Sequence, residues 1–335
     1  MRTTAELEER LARPSAGLVG DLGRLEGDIM ILGAGGKLGP SLVRLALNAT
    51  RGDRRIIAVS RFSEPGLADD LRAAGATVVA ADVADDRALR ELPDAPNVVF
   101  LVGAKFGTHG REHTAWFTNT YLPGRVAERF AGSRIAALST GNVYPLVPVA
   151  GGGCAEDHPV GPVGDYAMSC LGRERVLTHF SEAAGTPMSL IRLNYAVELR
   201  YGVLVDLAQK VLAGEPIDLT TGQVNVVWQG YANEVALRSL LLASTPPYVL
   251  NVTGPELISV RQAAQALGDV LGKEPVFTGE EAPTALLSNA SRCHGLFGYP
   301  ELTPAELIEH TARWVAEGGP LLGKPTKFDR RDGRF

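Results

Sequence analysis

The residues most suited to chemistry form a glycine-rich turn that directly follows an apolar strand pattern. Residues 28–32 are typical of a buried strand, and Gly33-Ala-Gly35-Gly36-Lys37-Leu38-Gly39 follows. Glycine is needed where the backbone turns tightly and where phosphate oxygens approach its amides. A helix that begins near Lys37 would direct free N–H groups and a positive dipole end at a pyrophosphate. The whole run, Gly33 to Gly39, is therefore predicted to hold a dinucleotide.

A second polar pair, Ser60-Arg61, ends the next predicted strand, where a dinucleotide site recognises the adenosine ribose. An NAD site usually places an acid there, and an acid would repel a 2′-phosphate. A hydroxyl and a cation suit that phosphate, so the pair favours NADP over NAD. The alternative is that Arg61 is a solvated surface charge.

These side chains require a sheet to hold them, and apolar runs that could form its strands recur along the chain. The runs are residues 28–32, 55–60, 76–81, 97–102, 134–139 and 188–192, and helical patterns separate them. Strands that are apolar along their whole length indicate a parallel sheet covered on both faces. The expected fold is α/β, a Rossmann-type doubly wound parallel sheet with a smaller C-terminal substrate lobe.

Composition excludes several other classes of protein. The 335 residues, 45% hydrophobic and 21% charged, are typical of a globular protein. A net charge of -5 argues against a nucleic-acid partner, and no window approaches the roughly 20 apolar residues that span a bilayer. No signal peptide is visible, so we expect a cytoplasmic protein. The scattered Cys154, Cys170 and Cys293 predict neither disulfides nor a metal site, and Cys293-His294 is interpreted as a solvated loop.

Several motifs resemble the NAD-dependent epimerase/dehydratase family, the extended short-chain dehydrogenases. The quoted segments are Gly33-x-x-Gly36-x-x-Gly39, Asp82-Val83, Ser139-Thr140-Gly-Asn-Val-Tyr144-Pro, Tyr166-Ala-Met-Ser169, Asn251-Val-Thr-Gly254 and Trp314. The third is similar to the family's Ser-Ser-x-x-Val-Tyr-Gly segment, and the fourth falls where its Tyr-x-x-x-Lys motif begins. The resemblance runs from about residue 28 to residue 316.

The resemblance implies a role for each matching residue. Asp82 and Val83 would flank the adenine, while Gly103 and Ala104 would line the cofactor after the fourth strand. Thr140 would hold the substrate oxygen, and Tyr166 would exchange a proton with it while hydride moves to or from the nicotinamide. Asn142 and Asn194 would contact the substrate.

The family's lysine is missing, and Cys170 stands at its position. A tyrosine with its ordinary pKa of about 10 is a poor base at neutral pH without a nearby cation. Three interpretations remain open. Lys105 could supply the cation; Cys170 could contact substrate or ribose, or be an apolar filler; or the site could bind cofactor without turnover. His109 and His113, in the loop after the fourth strand, are either acid/base groups or solvated.

The substrate expected from the sequence is not a nucleotide sugar. Family members that act on nucleotide sugars usually carry an arginine for the diphosphate, and residues 223–236 contain none. The family's Arg-x-x-Asn is shortened here to Arg192-Leu-Asn194. Loss of a bidentate phosphate partner favours a free sugar, sugar acid or lactone, unless Arg200 reaches into the site.

The leading hypothesis is an NAD(P)-dependent oxidoreductase or epimerase acting on a carbohydrate-like hydroxyl or carbonyl. The alternatives are a non-catalytic cofactor-binding or redox-sensing protein, and a lyase or dehydratase with tightly held NAD. The expected units are a helical extension (1–27), a dinucleotide-binding domain (28–192, with a returning segment near 224–252), a substrate lobe (193–223 and 253–317) and an arm (318–335). The resemblance also implies a homodimer formed through two long helices.

Overall fold

The centre of the molecule is a seven-stranded parallel sheet. The structure, a computed structural model, describes residues 1–105 and 110–334. The strands are β1 (Ile29–Leu32), β2 (Ile56–Ser60), β3 (Thr77–Ala80), β4 (Asn97–Phe100), β5 (Arg134–Thr140), β6 (Met188–Leu193) and β7 (Tyr248–Val252). Their order is β7-β6-β5-β4-β1-β2-β3, and all neighbours are parallel. The predicted doubly wound α/β fold is confirmed.

Burial on both faces explains why β1 is apolar at every position. In β1, Ile29 and Ile31 belong to the core on one face of the sheet, and Met30 and Leu32 belong to the core on the other. Successive strand residues point to opposite faces, so a strand covered on both sides buries every side chain and favours apolar residues at each position. Ile29 lies opposite Ile56 of β2 and opposite Asn97 of β4, which places β1 between these two strands.

Helices cover both faces. They are α1 (Thr4–Leu11), α2 (Ala16–Gly23), α3 (Gly39–Thr50), α4 (Leu67–Ala73), α5 (Asp86–Glu91), α6 (Glu112–Trp116), α7 (Leu122–Arg129), α8 (Gly164–Ala184), α9 (Val203–Ala213), α10 (Gln229–Arg238), α11 (Val260–Leu271), α12 (Ser291–Phe297) and α13 (Pro304–Ala316). A π-helical turn, Phe117–Tyr121, joins α6 to α7. The helices α3 and α10 pack on the β1 face that carries Ile29, and α5, α7 and α8 pack on the opposite face.

The remaining strands are short and lie in the loops beyond the sheet. The pairs are Ala196–Val197 with Val227–Trp228, Pro216–Asp218 with Val276–Thr278, Gln223–Val224 with Ile258–Ser259, and Val147–Pro148 with Thr284–Ala285. The helices α9, α11 and α13 pack against one another beside these pairs. Together they build the side of the molecule that faces the ends of β5 and β6.

The N-terminal helices lie on the outside of α3 and α10. Leu7 and Leu11 of α1 and Leu18 and Leu22 of α2 are buried in the same core as α3. Helix α1 begins at Thr3, whose side chain accepts a hydrogen bond from the Glu6 amide, as an N-cap does.

One prediction about the cysteines is wrong. Cys293 and His294 are buried within α12 rather than solvated in a loop. The Cys293 thiol lies 3.5 Å from the Tyr231 hydroxyl, and His294 Nε2 lies 3.1 Å from the Thr253 carbonyl oxygen. The thiol of Cys293 and the imidazole of His294 have polar partners inside the fold, so both side chains can be buried without contact with solvent.

Two further findings concern the described part of the chain. None of its helices has both the length and the apolar character needed to cross a membrane. It contains no group of three or more His, Cys, Asp and Glu side chains that could hold a metal ion. All three cysteines are free and buried.

Candidate active site

A cavity of about 420 Å³ opens at the carboxyl ends of β1, β4, β5 and β6, next to the point where the strand order reverses. Ligands of open α/β sheets bind at such a point. Twelve of the predicted site residues line it: Gly33, Gly36, Lys37, Leu38, Gly39, Gly103, Ala104, Lys105, Thr140, Asn142, Tyr166 and Asn194. The cavity therefore brings most of the predicted cofactor, catalytic and substrate positions together.

The glycine turn has the geometry that a phosphate group needs. Gly33 has a φ of +93°, and a Cβ at Gly35 would lie 2.6 Å from Ser60 Oγ. A Cβ at Gly39 would clash with the Ala34 carbonyl. Among the described residues no side chain caps the start of α3 at Leu38, although Pro40 has no N–H and the Gly39 amide donates to the Gly36 carbonyl at 3.1 Å. The positive end of the helix dipole still lies at the cavity wall. These residues fit the pyrophosphate of a dinucleotide.

The predicted adenine and ribose residues lie beside the turn rather than in the cavity lining. Ser60 packs its hydroxyl against Gly35. The Arg61 guanidinium is 3.9 Å from the Asp82 carboxylate, and both side chains are largely exposed. Val83 is buried in the core on the α5 side of the sheet. Ser60, Arg61 and Asp82 therefore form a polar rim at the ends of β2 and β3.

Two hydroxyls converge at the other side of the cavity. Thr140 ends β5, Tyr166 lies in the first turn of α8, and their side chains are in hydrogen-bond contact. The Thr140 hydroxyl donates to Asn142 Oδ1 at 3.0 Å and accepts from the Asn142 amide at 3.2 Å. Because the turn after β5 holds Thr140 from two directions, its hydroxyl is fixed where a substrate oxygen could bind.

Cys170 lies behind Tyr166, outside the cavity lining. It is 1% exposed and packs with Val143, Tyr144 and Leu287. Its thiol is in hydrogen-bond contact with the Tyr166 hydroxyl. Burial raises the pKa of Cys170, so the group against Tyr166 is a neutral thiol. Burial and the Cys170 contact both raise the pKa of Tyr166 above its usual value.

Lys105 lies beside Tyr166. Its Nζ is 5.5 Å from the centroid of the Tyr166 ring and lines the cavity. Burial lowers the pKa of Lys105 to about 8. A cation at this distance favours the ionised phenol and is in range of the ring face.

A second cation, Arg173, was missed by the sequence reasoning. It lies seven residues after Tyr166 on α8 and is buried at the cavity wall. Its guanidinium donates to the Val102 carbonyl at 3.1 Å, to the carbonyl of Asn119 at 3.2 Å and to Asn119 Oδ1 at 3.0 Å. Arg173 opposes the rise in the pKa of Tyr166. A spacing of seven residues, which is two helical turns, is the only sequence signal for it.

Asn119 supports both the loop after β4 and the helix α8. It lies in the π-helical turn, donates to the Ala104 carbonyl at 2.8 Å and accepts from the Ala104 amide at 2.8 Å. Its amide nitrogen also donates to Ser169 Oγ at 3.0 Å. A side chain at Gly103 would meet Arg173 at 3.0 Å, so glycine leaves room for this arrangement.

Lys37 links the glycine turn to the opposite wall. Its Nζ donates to the Ala196 carbonyl at 3.1 Å and lies 3.3 Å from the centroid of the Tyr201 ring. Burial lowers the pKa of Lys37 to about 7. The turn therefore carries an ionisable lysine in addition to the backbone amides, and burial disfavours the charged form of that lysine.

Two arginines that could have bound a diphosphate, Arg192 and Arg200, form ion pairs with carboxylates outside the cavity lining. Arg192 pairs with Glu174 at 2.7 Å and donates to the Tyr144 hydroxyl at 2.7 Å, all within the core. Arg200 pairs with Glu198 at 3.2 Å and with Glu8 of α1 at 3.3 Å. The suggestion that Arg200 reaches into the site is therefore wrong.

Three predicted polar residues remain to be located, Asn194, His113 and His109. Asn194 lines the cavity and donates to Asn225 Oδ1 at 2.8 Å. His113 is exposed on α6. His109 lies outside the described residues.

Comparison with known proteins defines the class of this chain. It belongs to the NAD dependent epimerase/dehydratase family, which matches residues 29–236, more than half of its length. The chain is accordingly an enzyme of an NAD-dependent family, and the resemblance seen in the sequence is confirmed. No curated protein matches the chain.

Solved structures show the same fold. The chain is similar to the UDP-glucuronic acid 4-epimerase of Bacillus cereus in complex with NAD, with 17% identity over 86% of this chain and 98% of that chain and a TM-score of 0.72. It is similar to the UDP-Glc/GlcNAc 4-epimerase of Campylobacter jejuni, with 20% identity, coverage of 88% and 99%, and a TM-score of 0.72. It is also similar to DesIV, the dTDP-glucose 4,6-dehydratase of Streptomyces venezuelae, with 17% identity over 87% of this chain and 97% of that chain and a TM-score of 0.73.

Proposed function

We propose that this protein is an NAD(P)-dependent oxidoreductase or epimerase that acts on a hydroxyl or carbonyl carbon of a sugar-derived small molecule. The observation that carries the proposal is the contact between Thr140 and Tyr166 at the wall of a cavity that also contains the glycine turn. A hydroxyl that holds an oxygen and a phenol that exchanges a proton with it are the groups this chemistry needs.

The chain's own residues divide the work as follows. Gly33 to Gly39 would hold the cofactor's pyrophosphate, and the bound nicotinamide would supply the hydride acceptor or donor. Thr140 would hold the substrate oxygen while Tyr166 exchanges a proton with it. Because its pKa is raised, Tyr166 is protonated at neutral pH and is ready to act as an acid. Lys105 and Arg173 would favour the phenolate when Tyr166 acts as a base.

The test is turnover by the purified protein with a panel of sugars and sugar acids, followed by cofactor absorbance and product mass. Tyr166→Phe should lower kcat about 100-fold or more without changing the Kd for the cofactor, because only the proton is removed. Tyr299→Phe, at an exposed tyrosine outside the cavity lining, is the matched control. Normal turnover by Tyr166→Phe would rule out the assigned role.

The preferred cofactor proposed here is NADP. Arg61 and Ser60 lie together at the end of β2, beside the glycine turn, and support recognition of a 2′-phosphate. Arg61→Ala should weaken NADP about tenfold or more and leave NAD unchanged, because one charge-assisted contact is lost. Arg72→Ala, on α4, is the control. Tighter binding of NAD than of NADP by the unaltered protein would contradict the proposal.

A substrate without a nucleotide is also proposed. Residues 223–236 contain no arginine, and both Arg192 and Arg200 are held by carboxylates. We propose that residues 28–192 and the segment near 224–252 bind the cofactor. The lobe formed by residues 193–223 and 253–317 would bind the substrate.

A homodimer is the assembly we propose. Trp116, Phe117 and Tyr121 are exposed on one face next to α8, with exposed fractions of 37%, 40% and 58%. Large apolar side chains grouped on a surface are typical of a protein interface. The face is formed by the two long helical stretches α6–α7 and α8.

A further inference from the structure

The C-terminal arm is fastened to the body of the protein along the substrate side of the cavity. The Leu322 amide donates to the Arg200 carbonyl at 3.0 Å. The amide and hydroxyl of Thr326 donate to the Asp206 carboxylate of α9 at 2.7 and 2.5 Å. Phe328 is 4% exposed and belongs to the main core. A segment with buried anchors of this kind is part of the fold and not a free tail.

Its last residues are fixed as well. The Arg331 guanidinium donates to the Thr284 carbonyl and hydroxyl, each at 2.7 Å. Gly333 has a φ of +73° and packs so closely on Val163 that a Cβ there would clash with the Val163 carbonyl. Val163 directly precedes α8, the helix that carries Tyr166. The arm therefore joins α9 on one side of the cleft to the start of α8 on the other.

The arm contributes side chains to the cavity. Lys324 and Thr326 line it together with residues of the body. The charged side chains in the described lining are Lys37, Lys105, Arg173 and Lys324, and no carboxylate is among them. Lys324 lies near enough to Lys37, and Lys327 near enough to Lys105, to add to the lowering of the pKa of each, which burial dominates. The arm thus adds positive charge to a cavity that is already positive.

The arm also limits the length of the cleft. Asn142 and Tyr195 line both the main cavity and a second space of only about 30 Å³. Phe328, Arg330 and Arg331 of the arm form the far side of that space. It has room for little more than water, so an extended ligand could not pass in this direction while the arm is in place.

We infer that residues 322–334 are a built-in wall of the substrate site, and that Lys324 binds an anionic group of a compact substrate, a carboxylate or phosphate carried by a sugar. This inference rests on the proposed function for the identity of the site. Lys37 serves the cofactor's pyrophosphate, because it belongs to the glycine turn. Lys324 reaches the cavity from the opposite chain segment, and it is the lining cation that neither the glycine turn nor Tyr166 uses.

The test measures binding, so it does not depend on turnover. Calorimetry on the cofactor-loaded protein compares glucuronate, glucose 6-phosphate, glucose and UDP-glucose. We expect glucuronate or glucose 6-phosphate to bind more tightly than glucose and UDP-glucose, and the preferred probe identifies the anion as carboxylate or phosphate. Tightest binding of glucose or UDP-glucose would overturn the inference.

A single substitution tests the positive charge that the arm contributes to anion binding, separately from the charges of the rest of the protein. Lys324→Met should weaken the preferred anion about tenfold and leave glucose unchanged, because one charge-assisted contact is lost. Lys273→Met, at an exposed lysine after α11, is the matched control. Unchanged anion binding by Lys324→Met would overturn the inference. So would a loss confined to cofactor affinity, since Lys324 would then serve the cofactor.

Removal of residues 322–335 tests the wall itself. The shortened protein should bind UDP-glucose more tightly than the full chain does, because the cleft is longer. If the shortened protein does not fold, the four probes and the Lys324→Met variant still decide. Anion binding without turnover would refute the proposed function and leave this inference intact. Turnover of neutral sugars that Lys324→Met does not affect would refute this inference and leave the proposed function intact.

Discussion

At the scale of single residues, the environment of Tyr166 contains opposing influences on its proton. Burial and the neutral thiol of Cys170 raise its pKa, while Arg173 and the Thr140 hydroxyl lower it. The net direction is upward. A phenol with a raised pKa is a competent acid at neutral pH but becomes a base only in alkaline solution. The pH dependence of turnover is therefore a direct readout of these neighbours.

We predict that Cys170→Ala moves the pH profile to lower pH. The substitution removes a group that raises the pKa of Tyr166, so the phenolate forms earlier as pH rises. In the oxidising direction, the logarithm of the rate should climb with pH in both proteins, and the variant should reach any given rate at a lower pH than the unaltered protein. Measurement of kcat between about pH 6 and pH 10 checks this.

Cys154→Ala is the matched control for that experiment. Cys154 is buried in the same small apolar cluster as Cys170 but is not among the groups that shift the pKa of Tyr166. Its removal should leave the profile where it is. An identical profile for Cys170→Ala would mean that the thiol is only an apolar filler.

The residues of the site were predictable only where a motif or a strand end marked them. Thr140, Tyr166 and Lys105 each follow such a signal, and the structure brings all three to one cavity. Arg173 carries no such signal. Its role depends on carbonyl groups of Val102 and Asn119, which come from two other segments. Contacts of that kind are created by tertiary structure and leave no local pattern in the sequence.

At the scale of elements, the glycine turn and α3 act as one unit. The turn approaches the helix so closely that the Gly39 position has no space for a side chain. Helix α3 in turn packs Leu42 and Val43 into the main core, which holds the amides of its first turn in place. Cofactor binding and local stability should therefore fail together when the turn is disturbed.

We predict that Gly39→Ala lowers the free energy of unfolding by about 2–4 kcal/mol and abolishes cofactor binding, because the new methyl group forces the turn away from the Ala34 carbonyl. Denaturant unfolding and cofactor titration are the measurements. Gly20→Ala in α2 is the control, since nothing lies within 4 Å of a Cβ there. It should raise stability by about 0.5–1 kcal/mol. Equal cofactor affinity in the two variants would refute the argument.

The central strands β1 and β2 were predictable because burial on both faces favours apolar residues along nearly their whole length. The helix α10 was not, because it is short and mixes polar and apolar residues in the run Gln229–Arg238. It is buried by contacts with α3 and α2 rather than by its own pattern. The path of the arm was equally hidden, since polar contacts such as Thr326 to Asp206 fix it.

At the scale of the whole molecule, the two halves of the site come from distant parts of the chain. The glycine turn is near residue 33, Tyr166 is near the middle, and Thr326 is close to the end. The buried pair of Glu174 and Arg192 ties α8 to β6 and so fixes the Tyr166 helix relative to the sheet. An exposed apolar face formed by Trp116, Phe117 and Tyr121 lies beside α8.

That face supports the last prediction, which concerns assembly. The rings of Phe117 and Tyr121 lie 5.5 Å apart between centroids and are tilted by 39°, and both residues are exposed beside Trp116. We predict that Phe117→Glu converts a dimer into a monomer, because a charge would be buried at the centre of the apolar contact. Light scattering after gel filtration should give twice 35.5 kDa for the unaltered chain and 35.5 kDa for the variant. Tyr299→Glu, at another exposed aromatic residue, should leave the mass unchanged. A monomeric unaltered chain would disprove the proposed assembly.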